Sequence, residues 1–97
     1  DVLLESVPRG LDVGEIKRAI EAVSGVIEIH DLHVWTVTNG IPSLSVHVGL
    51  KESIDPGIVL SAVTKILSEK FHIDHVTIQV EPKGFNHLGE DCNLMKT

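Results

Sequence analysis

One β-rich run that changes phase in its middle constrains this fold more than any other stretch. Val26 to Val37 reads as a single long strand, with β-branched residues at 26, 27, 29, 34, 36 and 37. Its apolar positions fall on odd numbers at Ile27 and Ile29, then on even numbers at Leu32 and Val34. A one-residue slip in a strand turns every later side chain to the other face, so a regular strand cannot bury both pairs. A β-bulge near His30 and Asp31 repairs the phase with one defect, and bulges often re-aim a side chain beside a functional site. The same run holds two of the six histidines and the only tryptophan, Trp35.

The flanking sequence supplies the other layer. Asp12 has the character of an N-cap, with Glu15 three residues on in a capping-box pattern. Val13, Ile16, Ile20 and Val23 then make one apolar stripe at helical spacing, ended by Ser24-Gly25. Asn39-Gly40 closes a hairpin. In the returning strand Leu44, Val46, Val48 and Leu50 alternate with Ser43, Ser45, His47 and Gly49. Asp55-Pro56 opens a second helix, whose buried stripe is Val59, Ala62, Val63, Ile66, Leu67 and Phe71. A last strand from His75 to Glu81 turns Val76, Ile78 and Val80 inward. Helix, strand, strand, helix, strand, with a possible short strand at Val2-Leu3-Leu4 in front, predicts an α+β fold: a two-layer αββαβ sandwich, both helices on one face of a small mixed sheet. Residues 1–82 form one domain on this reading and 83–97 a polar, flexible tail.

Composition narrows the function. Ninety-seven residues with 42% apolar content suit one domain burying about 65% of its unfolded surface. One Trp, two Phe and no Tyr make the core aliphatic. A net charge of −6 and no clustered Lys/Arg argue against nucleic acid. Cys92 is the single cysteine, which excludes an internal disulfide and fits a reducing compartment. No apolar run reaches the ~20 residues of a membrane span, and no signal-peptide pattern is present. Starting at Asp1, the chain is expected to be a piece of something longer. No nucleophile–base arrangement, phosphate loop or catalytic carboxylate pair can be made out, so no enzyme is expected.

The hairpin register decides which histidines meet. A two-residue Asn39-Gly40 loop pairs Leu32 with His47 and buries Trp35; a three-residue loop, Asn39 to Ile41, pairs His33 with His47. The second explains the phase slip with one bulge, returns Ile27 and Ile29 to the core and frees His30 to the polar face. His30, His33, His47 and Glu81, with His75 further along, then share the uncovered face of the sheet. Imidazole and carboxylate are ligands for zinc and related divalent cations, with Asp31 as a further ligand or an acceptor that fixes an imidazole tautomer. The competing reading is that these histidines are simply solvated. Trp35, Val37 and Ile41 on the same open face point to a homodimer interface, unless the other register holds and Trp35 is core. In the tail His87 and Cys92 are weak additional ligand candidates.

Several segments taken together resemble a known family: Leu3-Leu4-Glu5-Ser6-Val7-Pro8, Gly25-Val26, the run His30-Asp31-Leu32-His33-Val34-Trp35 on to Gly40, Ser45-Val46-His47-Val48, and His75 to Pro82. They are similar, in order and spacing, to the cytoplasmic C-terminal domain of cation diffusion facilitator transporters. The resemblance implies a metallochaperone-like, ferredoxin-like αββαβ fold and a homodimer. It implies a domain on the cytoplasmic side of an integral membrane protein, expected in a bacterial inner membrane, whose transmembrane domain is not in this chain. It also implies export of Zn2+ or another divalent cation (Co2+, Cd2+, Ni2+, Mn2+ or Fe2+), with metal binding in this domain stabilising the transport-competent dimer. In such relatives the metal is held by residues matching His30, His47 and Glu81. This chain has Gln79 where some bacterial members carry another histidine, and no histidine near Gly14 or Glu15, which points away from a full two-metal site. Paired cysteines in the tails of some vesicular members become Cys92 and Met95 here. The alternative is a ferredoxin-like regulatory module that binds a small molecule or protein without metal.

Overall fold

In a computed structural model of the chain, residues 2–3 and 7–82 are described. In chain order the elements are β1 (Val2–Leu3), α1 (Val13–Glu21), β2 (Val26–Val37), a 3-10 turn (Thr38–Gly40), β3 (Ile41–Leu50), α2 (Pro56–Phe71) and β4 (His75–Glu81). The four strands lie in the order β1-β2-β3-β4. The pairs β1–β2 and β3–β4 are parallel, and β2–β3 is the antiparallel hairpin. The expected tail, with His87 and Cys92, lies outside the described residues.

Both helices start where their caps dictate. The Asp12 carboxylate accepts from the Gly14 and Glu15 amides, and the Asp55 carboxylate from the Gly57 amide beside a first-turn proline. Ile16 and Ile20 of α1 join Val59, Val63, Leu67 and Phe71 of α2 over Val34, Leu44, Val46 and Val48 in one core, so both helices cover the same face of the sheet. α1 is shorter than its sequence suggests. It ends at Glu21 with Ala22 as cap, and Gly25 closes a separate turn that leads into β2.

Among the described residues, Gly25 is the one glycine that is both left-handed and tightly enclosed. Its φ is +96°, and a Cβ there would stand 2.9 Å from Ile54 Cγ2 and 3.1 Å from Val59 Cγ2. Gly25→Ala therefore adds backbone strain to an overlap with the core. A loss of roughly 1–3 kcal/mol is expected, read as a Tm lowered by about 4–8 °C per kcal/mol in a domain of this size. An unchanged Tm would show that the turn relaxes freely.

Strand β2 follows the expected limits, but its pairing corrects three details. The hairpin loop has three residues, Thr38–Gly40 rather than Asn39–Ile41, with Asn39 and Gly40 both at positive φ. The register is consequently Val37 with Ile41, His33 with Ser45, and His30 with His47. His47 thus faces His30, not His33. Two irregularities replace the single defect. One lies between His30 and His33, where Asp31 takes φ +51°; the other lies between Val26 and Glu28. The second one leaves Ile27 unpaired and 46% exposed, while Val26 takes the core position opposite Leu50 and Ile29 packs against the core.

Candidate metal centre

The face of the sheet away from the helices carries the polar side chains. Alternation on β2, β3 and β4 sets them in cross-strand rows: Trp35, Ser43 and His75; His33, Ser45 and Thr77; His30, His47 and Gln79; Glu28, Gly49 and Glu81. The last two rows hold most of the chemistry. His47 Nδ1 stands 3.0 Å from Glu81 Oε2 and 3.9 Å from Asp31 Oδ2, and His30 Nε2 stands 3.2 Å from Glu28 Oε2. Gln79 Nε2 donates to the same Glu81 oxygen at 2.9 Å. Three carboxylates beside two imidazoles make this end of the face attractive to cations.

Glu81 is the unusual member. It is only 5% exposed at the end of β4, and its Oε1 has no hydrogen-bond partner. Leaving a buried acceptor unsatisfied costs about 1–3 kcal/mol, more when it is charged. A bound cation would answer that deficit, and imidazole with carboxylate is an ordinary donor set for zinc and its neighbours. Two donors about 2.1 Å from one zinc ion at a tetrahedral angle stand roughly 3.4 Å apart, close to the two imidazole–carboxylate spacings observed. Among the described residues no three His, Cys, Asp or Glu side chains are gathered on one point as they stand. The donors form two pairs, and enclosing one ion requires rotation of the half-exposed His30 and His47 rings.

The other sequence candidates separate from this cluster. His33 lies one row away, opposite Ser45. His75 starts β4, six residues and about 20 Å from Glu81. On the open face Trp35 is half-buried, and Val37 and Ile41 at the hairpin end are 40% and 39% exposed. Glu28 escaped the sequence reading. Its signal was its place two residues before His30 on the polar face, opposite a residue without a side chain.

The domain is thus an α+β sandwich, with helices on one face of a mixed sheet and imidazole–carboxylate pairs on the other. Comparison with known proteins identifies the family: residues 8–83 match the model for the cation efflux protein cytoplasmic domain, and the chain belongs to it. It is 49% identical over 80 residues, 82% of its length, to a probable zinc transporter protein of Dictyostelium discoideum. To the metal cation efflux system protein CzcD of Cupriavidus metallidurans it is 45% identical over 82 residues, 84% of its length. It spans 15% of the first relative and 26% of the second. The metal-bound C-terminal domain of the CzcD transporter superposes with a TM-score of 0.71 at 43% identity, covering 73% of this chain and 99% of that one. No described helix is long and apolar enough to cross a membrane.

Proposed function

We infer that this domain senses a divalent cation, Zn2+ first among them, for an efflux transporter, and couples the bound ion to its own dimerisation. The observation that carries the reading is buried Glu81, with one oxygen unpartnered and the other against His47, the register partner of His30. His30, His47 and Glu81 are the ligands, and Asp31, 3.9 Å from His47, stands by in support. The metal-bound CzcD domain, so similar in fold and sequence, favours the same chemistry here. Val37 and Ile41 beside half-buried Trp35 supply an apolar edge for a second copy. The matched shares of the relatives leave the membrane-spanning path to parts of those proteins that this chain does not match.

Calorimetric titration with Zn2+ tests the ligand set, with sedimentation followed in parallel. The expected result is saturable binding that shifts the chain toward dimer. His30→Ala and His47→Ala should each weaken binding by at least the ~10–100-fold that loss of an outer-shell partner costs. Absence of any binding by the unaltered chain would favour a regulatory module that works without metal. Equal binding by all three proteins would move the site elsewhere.

A further inference from the structure

Four donor-bearing side chains border one glycine on the open face. Gly49 pairs with Glu28 on one side and with Glu81 on the other. His47 precedes it by two residues on the same face, and His30 stands on the diagonal as the partner of His47. The imidazoles lean along their strands toward the glycine row: His47 Nδ1 is 3.0 Å from Glu81 Oε2, and His30 Nε2 is 3.2 Å from Glu28 Oε2. Glu28 itself lies over β3. A Cβ on Gly49 would meet Glu28 Cγ at 3.2 Å and Glu28 Oε2 at 3.7 Å. Beside this space Glu81 Oε1 is buried without a partner. Gly49 has no left-handed φ that would demand glycine. What its missing side chain provides is room.

Resting on the reading of His30, His47 and Glu81 as ligands, we propose that Glu28 is the fourth protein ligand to the cation and that Gly49 is the floor of the site. Two imidazoles and two carboxylates complete a four-coordinate shell around a divalent ion. A shell closed by protein donors marks zinc sites that organise structure, whereas catalytic sites keep a position open for water. Two carboxylates also cancel the charge of the ion, which limits the cost of holding it beside a buried group. The ion would tie β2 to β4 across β3. Asp31, 3.9 Å from His47, stays outside the shell and adds negative potential.

Glu28→Gln and Gly49→Ala in the 97-residue chain test the proposal, with Zn2+ affinity and the visible spectrum of bound Co2+ as readouts. Glu28→Gln keeps the shape of a half-exposed side chain. Gly49→Ala keeps every ligand but pushes Glu28 aside. The unaltered chain should give the intense absorption of four-coordinate Co2+. Both variants should give a shifted Co2+ spectrum, because a water takes the place of the Glu28 carboxylate in the shell, with Zn2+ affinity reduced at least ~10–100-fold. Unchanged affinity and spectrum in Glu28→Gln, with His47→Ala still impaired, would overturn the role of Glu28 and leave the three-ligand reading standing. Reduced affinity with an unchanged Co2+ spectrum would also overturn it, because Glu28 would then only orient His30. If His47→Ala binds as well as the unaltered chain, the three-ligand reading fails first.

Discussion

Glu81→Met is expected to give a chain that is more stable without metal and indifferent to it. The wild-type carboxylate is 5% exposed and leaves Oε1 unsatisfied, a deficit of about 1–3 kcal/mol that a thioether of similar length would remove. The groups that lose their acceptor, Gln79 Nε2 and His47 Nδ1, belong to exposed or half-exposed residues and can turn to water. With free Zn2+ at 100 times its dissociation constant, the wild-type chain should gain roughly 2.7 kcal/mol. At about 4–8 °C per kcal/mol that is a Tm shift on the order of 10–20 °C. Thermal melts of both proteins in chelator and in Zn2+ separate the two effects. A variant less stable than wild type in chelator would refute the burial argument, and one that keeps the zinc shift would refute the ligand assignment.

Much of this arrangement was legible in the sequence because it rests on faces. Alternation in β3 and β4 fixed which residues point away from the helices, and the slip between Ile29 and Leu32 located a bulge at Asp31. The hairpin register was not legible, for a physical reason. Moving a pairing by two residues preserves every face, so apolar alternation cannot separate His33 from His30 as the partner of His47. Asn39 and Gly40 marked the turn because both adopt positive φ. They did not say which neighbour completes the loop, and Thr38 does so instead of Ile41. Ile27 was misplaced because its odd spacing with Ile29 suited the core, whereas the turn at Gly25 delivers Val26 opposite Leu50 first. Glu28 gives no signal of its own, since its place over Gly49 depends on the register, and Gly49 reads as a blank in an alternating strand. That blank is the feature that gives Glu28 its place.

Removing one residue from β2 should be tolerated at Asp31 and severely destabilising at His33, two residues on. On one side of the bulge His30 pairs with His47, and on the other His33 pairs with Ser45, so Asp31 and Leu32 together face the single residue Val46. Deleting Asp31 leaves Leu32 alone opposite Val46. The strand then reads Ile29, His30, Leu32, His33, Val34 in regular alternation, with every core and surface assignment intact. It also removes a non-glycine residue at φ +51°, a conformation that costs an L-residue roughly 1–2 kcal/mol. This deletion should leave stability within about 1–2 kcal/mol of wild type. Deleting His33 has no such remedy. If the ladder regularises at the bulge, Asp31 turns into the core and Leu32 turns out; if the loss is taken up at the hairpin, Val34 leaves the core and Trp35 must enter it. Lost burial of Leu32 or Val34 is worth about 1.5–3 kcal/mol, and a misplaced polar group adds about 1–3 kcal/mol or more. Against a total stability of roughly 5–15 kcal/mol, much of the fold is at stake. Urea denaturation of the two deletion variants checks this, and equal losses would show that the bulge does not absorb the phase. The Asp31 deletion carries a further reading of the site. His30 still faces His47 there, so any Zn2+ affinity lost by that chain measures what the bulge and its carboxylate add to the aim of His30.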